Sequence, residues 1–181
     1  VGRYAFGSCE KLEGDYYFPT ATVIDDHAFV NTKAIDSITA DAVVELLPNY
    51  NFENCAATNI SLKSVMNISY GCFQGAKNLQ DLILNSGITN IAGRAFYNCY
   101  FTRITPTKYY KLQNLDSEIF SGASLYNGSI DFKGSTAITV LKNHVFAGAS
   151  NFSEIRLPAS ITEIEKYSLE KTNSCDIYFY G

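Results

Sequence analysis

Charge, histidine and long apolar runs are all scarce in this chain. Of its 181 residues 18% are charged, the net charge is −4, and no run of Lys or Arg stands out. That leaves no basic footprint for nucleic acid or for an anionic membrane surface. No apolar stretch approaches the ~20 residues that cross a bilayer, and no leader pattern opens the chain. There are two histidines, His27 and His144, and no P-loop, G-x-G-x-x-G, H-E-x-x-H or G-x-S-x-G, so the enzyme classes that announce themselves by such motifs are disfavoured. The five cysteines, Cys9, Cys55, Cys72, Cys99 and Cys175, are odd in number and form no C-x-x-C pair. That pattern suits neither a disulfide framework nor a zinc site.

What is present is a repeat. An apolar anchor recurs at Phe6, Phe29, Phe52, Phe73, Phe96, Phe120, Phe146 and Leu169, at intervals of 23, 23, 21, 23, 24, 26 and 23 residues. Three residues after each anchor comes a small one: Cys9, Thr32, Cys55, Ala76, Cys99, Ala123, Ala149 and Thr172. A position that is always small is one where something packs closely. In the most regular units Leu12, Ile35, Leu79 and Phe152 follow six residues after the anchor. Repetition at such a period is the mark of an array in which each unit completes its neighbour's core.

Within each unit, short alternating segments such as Leu82/Leu84, Ile155/Leu157, Ile60/Leu62, Ile130/Phe132 and Ile177/Phe179 read as strands. Pro19 and Pro158 close two of them, because proline cannot donate to a ladder. Apolar pairs three residues apart follow (Val65/Ile68, Ile88/Ile91, Leu112/Leu115, Ile138/Leu141, Ile161/Ile164) and suit a tight extended corner better than a helix. Over residues 39–47, Thr-Ala-Asp-Ala-Val-Val-Glu-Leu-Leu has helical composition with an Asp near its start, and predicts one short helix. The units beginning at Phe96 and Phe120 are long and irregular, with Tyr100-Phe101, Tyr109-Tyr110 and Leu125-Tyr126-Asn-Gly, and predict bulged loops. No linker divides the chain, so residues 1–181 form one domain.

The stretches Leu157-Pro-Ala-Ser-Ile-Thr-Glu-Ile164 and Ile88-Thr-Asn-Ile-Ala-Gly-Arg-Ala-Phe-Tyr-Asn-Cys99 resemble the repeat of the BspA-type leucine-rich-repeat family, over essentially the whole chain. The resemblance implies a right-handed solenoid of about eight coils, with mostly short stacked β-strands and short helical or 3-10 turns. It also implies a segment of a longer protein, displayed on or secreted from the cell surface and acting in adhesion to host proteins or other cells. No cofactor is implied.

Weighed individually, the candidate chemical residues fall back into the repeat. His27 and His144 both lie two residues before an anchor, where other units carry Tyr4, Tyr50, Gly71, Arg94, Glu118 and Tyr167, which reads as a solvent-facing turn. Asp25-Asp26-His27 could hold a metal, but the freely varying neighbours disfavour it. Cys9, Cys55 and Cys99 share a slot in alternate units, ~10 Å apart and beyond disulfide reach, so all five thiols are expected free. Neither a catalytic nor a metal site is expected. Sequons at Asn59, Asn67, Asn127 and Asn151 are close to chance in number.

What remains is surface. The strand positions Asp81, Ile83, Asp131, Lys133, Arg156 and Tyr178, with Gln80, Arg103, Thr105, Glu154 and Asp176, should turn outward, either as a binding stripe for a protein or glycan or as a merely solvated face. Tyr109, Tyr110 and Tyr126 are either exposed hot spots or fillers of corners left by imperfect repeats. Both chain ends lie inside the repeat without a polar cap, which would suit continuation or end-to-end self-association of a structural stalk.

Overall fold

The alternating segments pair side by side in the computed structural model, which describes residues 1–43, 45–173 and 175–180 and leaves out the side chain of Asn127. Among the described residues thirteen strands follow in chain order: β1 (Gly14–Tyr17), β2 (Ile35–Thr39), β3 (Leu46–Leu47), β4 (Asn59–Leu62), β5 (Asn67–Ile68), β6 (Leu79–Leu84), β7 (Asn90–Ile91), β8 (Tyr100–Thr105), β9 (Ser124–Asp131), β10 (Val140–Leu141), β11 (Ser150–Leu157), β12 (Glu163–Ile164) and β13 (Asp176–Phe179). Eight of them form one sheet in the order β1-β2-β4-β6-β8-β9-β11-β13, with every neighbouring pair parallel. The opposite wall carries the short strands, β3-β5-β7 and β10-β12. The molecule is a parallel β-solenoid, its eight main strands joined by seven turns of chain rather than the eight coils expected.

The anchors explain why the coils stack. Phe6, Phe29, Phe52, Phe73, Phe96, Phe120 and Phe146 form one file of parallel rings, with successive centroids 5.0, 5.3, 5.2, 5.5, 5.2 and 5.4 Å apart. That spacing is close to the ~4.8 Å between paired strands, so each coil advances by one strand and one ring. From Phe29 to Phe146 these side chains are at most 1% exposed. The small slot lies against the neighbouring coils: Thr32 Oγ1 donates to Cys55 Sγ of the next coil at 3.1 Å and Cys99 Sγ donates to the Phe73 carbonyl of the preceding one at 2.6 Å. A larger side chain there would part the coils. All five cysteines are free, as expected.

No helix or 3-10 turn occurs among the described residues, the predicted helix at 39–47 included. The reason lies in where the backbone groups go. A helix would turn its N–H groups on itself, whereas here Phe52, Phe73, Phe96, Phe120 and Phe146 donate theirs to carbonyls of the following coil at 2.7–3.0 Å. In the 39–47 segment, Leu46 and Leu47 pair with Asn67 and Ile68. Asp41 receives Ser61 Oγ at 2.6 Å, Lys63 Nζ at 2.9 Å and the Lys63 amide at 3.2 Å, all from the next coil. Its carboxylate joins coils instead of capping a helix.

The turns around the anchors share one backbone conformation. The residue two before each anchor (Tyr4, His27, Tyr50, Gly71, Arg94, Glu118, His144, Tyr167) and the residue two after (Ser8, Asn31, Asn54, Gly75, Asn98, Gly122, Gly148, Lys171) all have φ between 50° and 71°. The second set is mostly Asn and Gly, the residues that tolerate the left-handed region. The first set, Gly71 apart, is bulky, and its side chains pack between coils: Tyr4 on His27 at 4.8 Å, His27 on Tyr50 at 5.4 Å, His144 on Tyr167 at 5.0 Å, and Arg94 on Glu118 through an ion pair at 2.9 Å. The slot is a turn, as expected, but a file of contacts rather than an idle one.

Candidate ligand-binding surface

The outward residues of the eight-stranded sheet align in rows. One row runs Asp15, Ser37, Asn59, Asp81, Arg103, and a second Tyr17, Thr39, Ser61, Ile83, Thr105. Across the irregular units the rows resume as Ser129, Glu154, Asp176 and as Asp131, Arg156, Tyr178. Strand alternation produces this arrangement, since every second side chain leaves the core. Charges on the face are largely tied: Asp81 to Arg103, Glu154 to Arg156 at 2.6 Å, Asp41 to Lys63 at 2.9 Å. Hydrogen bonding to Asp81 raises the Arg103 guanidinium above its ordinary value, and Glu154 does the same to Arg156.

Between β8 and β9 the sheet opens. Among the described residues the two strands pair only at Tyr100/Ser124 and Phe101/Leu125. They meet again where Asp131 bridges Lys108, donates to the Thr107 carbonyl at 2.7 Å and accepts from the Tyr109 amide at 2.9 Å. Residues 102–106 and 126–130 form the two walls of a gap closed at both ends. A bulge causes it: between the pairs Ser124/Ser150 and Gly128/Phe152, β9 uses four residues where β11 uses two. The surplus holds Tyr126, 68% exposed. Two depressions of about 410 and 400 Å³ meet here, sharing Gln80, Thr102 and Tyr126. The first reaches Lys77, Tyr100, Ser124 and Asn151; the second reaches Asp81, Arg103, Ile104, Thr107 and Gly128. Both volumes are in the range of small-molecule sites, about 300–1,000 Å³.

The expected surface residues separate into sectors. Asp81 lies in the opening, and Ile83 in a shallow hollow with Asp15, Ser37 and Ser61. Lys133 and Tyr178 are exposed together near the last strand, where the Lys133 ammonium sits 5.2 Å above the Tyr180 ring. Tyr110 is exposed beside Lys108 and Lys111, its ring against Gly134. Two expectations fail. Asp131 is 2% exposed, under Arg156 with 3.6 Å between their charged atoms, and it accepts the Lys133 amide at 2.9 Å. Its carboxylate keeps its place in the outward row but is covered by the Arg156 side chain and held on the Lys133 amide. Tyr109 is 1% exposed and stacks on Phe132 at 5.8 Å. The Lys108/Asp131 bridge puts it one residue further along, beside Phe132, and so on the core side of the sheet. It fills a corner and is no hot spot. Burial pushes its phenol up, and its hydroxyl has no partner among the described residues.

Tyr100, Lys77, Ser124 and Asn151 escaped the sequence reading. The signal was the 26-residue interval after Phe120, the longest of the seven, which marks surplus chain without saying where it leaves the sheet.

Among the described residues no group of three or more His, Cys, Asp and Glu converges as a metal site, and no helix is long and apolar enough to cross a membrane. Burial pushes the Cys55, Cys72 and Cys99 thiols up, away from the reactive thiolate. Burial and the neighbouring Asp176 carboxylate push the half-buried Cys175 thiol up to about 11.

The family comparison agrees with the repeat. The profile described as a BspA type leucine rich repeat region matches in six copies, over residues 1–127 and 113–180. No curated protein matches the chain. Among solved structures, a leucine rich cell surface protein from Faecalibacterium prausnitzii A2-165 is similar at 14% identity and a TM-score of 0.31, over 93% of this chain and 88% of that one.

Proposed function

The chain belongs to the family of BspA-type leucine-rich-repeat regions, and on that premise we propose that it is a non-enzymatic binding module. It is carried at the cell surface or secreted, and it adheres to proteins or glycans of a host or of other cells through the outward face of the eight-stranded sheet. The observation that carries this reading is the opening between β8 and β9. It interrupts an otherwise continuous ladder and sets two exposed tyrosines, Tyr100 and Tyr126, among polar side chains that serve no core. Exposed tyrosines concentrate binding energy because they bury a large rigid area at small entropic cost. Solenoids use such extended faces for recognition.

Catalysis finds no support in the residues available for it. The buried thiols are held protonated, and both histidines are stacked in the turn file. A second reading, a spacer or self-assembling stalk, is favoured by one observation: most charges on the face are already paired with each other. Retention of the labelled chain on a panel of matrix proteins, mucin and whole cells separates the two. Adhesion predicts retention by at least one member, lost when Tyr100, Tyr126, Lys133 and Tyr178 are replaced together by Ser. Failure of the wild-type chain on every member ends the adhesion reading and leaves the spacer.

A further inference from the structure

We propose that the opening between β8 and β9 is a subsite for an oligosaccharide bearing an acidic sugar, with Tyr100 and Tyr126 as stacking platforms and Lys77 as the counter-ion of the sugar carboxylate. The inference rests on the reading of the sheet face as a binding surface and names the ligand class for it.

The shape of the gap argues first. An extended peptide that adds to a sheet needs a free strand edge along which to run. Here the walls rejoin at Tyr100–Phe101 on one side and at Lys108/Asp131 on the other, so a strand has no path through. A compact, ring-shaped group seated from above does fit. The lining argues next. Tyr126 is 68% and Tyr100 48% exposed, the latter with the Lys77 ammonium over one side of its ring, and aromatic faces carry a partial negative charge that attracts the weakly positive C–H edges of a pyranose. Between them stand neutral donors and acceptors, Gln80, Thr102, Ser124 and Asn151, with Asn151 Nδ2 donating to Ser124 Oγ at 2.8 Å. Among the described residues, 102–105 and 126–129 are not paired with each other across the gap. That density of small polar groups suits a ligand made of hydroxyls.

Charge selects among sugars. Asp81 is neutralised by Arg103. Lys77 lies 5.8 Å from the centre of the Tyr100 ring and has no acidic partner among the described residues. The site is therefore locally positive by one charge in a chain whose net charge is −4, and an ammonium beside a stacking ring is placed to meet a sugar carboxylate.

The test uses the whole 181-residue chain with 3′-sialyllactose, and with lactose as the counterpart lacking the acidic sugar, by saturation-transfer NMR and titration. The expected result is binding of 3′-sialyllactose at least tenfold tighter than lactose. Tyr126→Ala should weaken it tenfold or more, and Lys77→Gln should remove the preference over lactose. Unchanged thermal midpoints of both variants show that they fold. Equal binding of both sugars, or equal binding by Tyr126→Ala, overturns the assignment. So does retention on a protein ligand that depends on Tyr126 while neither sugar binds up to 10 mM, on the order of the weakest specific affinities; in that case the binding-module reading stands and only the ligand class falls. Failure of sugars and of the whole adhesion panel sinks both.

Discussion

The coil from Phe73 to Cys99 and the stretch from Tyr100 to Phe132 are built from similar residues and behave oppositely. In the first, β6 pairs with β4 over four consecutive positions and the ring of Phe73 stacks between those of Phe52 and Phe96. Every inward residue meets its counterpart one coil away. In the second, pairing lapses after two positions and one tyrosine, Tyr109, turns inward while another, Tyr126, turns fully out. A regular repeat leaves little room for a site, because each slot is already occupied by packing. Surplus chain opens the sheet without disturbing the phenylalanine file, which passes from Phe96 to Phe120 to Phe146 unbroken. Scaffold and site are thus separated within one coil.

The strongest test of that separation is to damage the file. Phe96→Ala, at a fully buried ring, is expected to cost about 3–5 kcal/mol in a urea titration; a loss under 1 kcal/mol would mean that the rings are spectators. On the irregular side, Tyr109→Phe should stabilise by about 1 kcal/mol, since it deletes a buried hydroxyl that has no partner, and destabilisation would reveal a hydrogen bond there. Gly148→Ala is expected to lose about 1 kcal/mol from backbone conformation alone: φ is 67° and the added carbon would meet nothing closer than 3.9 Å. A neutral result would show the turns to be more forgiving than their uniform φ values imply.

Smaller effects lie on the face. Partial burial raises the Asp41 carboxyl, but hydrogen bonds from Ser61 and Lys63 and the Lys63 charge outweigh it, and the net shift is downward. A carboxylate depressed in the fold stabilises above its unfolded pKa of about 3.9 and loses that contribution as pH falls through the folded value. At a largely exposed pair the gain is no more than about 0.5 kcal/mol. Asp41→Asn should therefore narrow the difference in stability between pH 7 and pH 3 by that amount, and an unchanged difference would show the bridge to be idle. Tyr126→Ala should shift stability by less than about 0.5 kcal/mol, as expected of an exposed side chain. A large loss would place Tyr126 in the scaffold and erase the contrast between the two regions.

Much of this was legible in the chain itself. The spacing of Phe6, Phe29, Phe52 and Phe73 predicts the ring file, and the small residues three positions on predict the close contact between coils. Alternation at Leu82/Leu84 and Ile155/Leu157 places the strands. The helix at 39–47 was misread because local composition says nothing of a partner coil, and pairing to Asn67 and Ile68 outweighs a weak helical preference.

By itself the sequence determined the period, the strand positions and the residues that stack, because a packing rule repeated eight times leaves a mark at a fixed interval. Only the tertiary structure decided that Asp131 lies covered beneath Arg156, that Tyr109 faces inward and that Tyr100, Tyr126 and Lys77 share one opening. For Tyr109 the physical reason is the two-residue alternation of a strand: a slip of one position exchanges its faces. Interval lengths count the surplus residues of a bulge, and only contacts with both neighbouring strands show where the bulge falls.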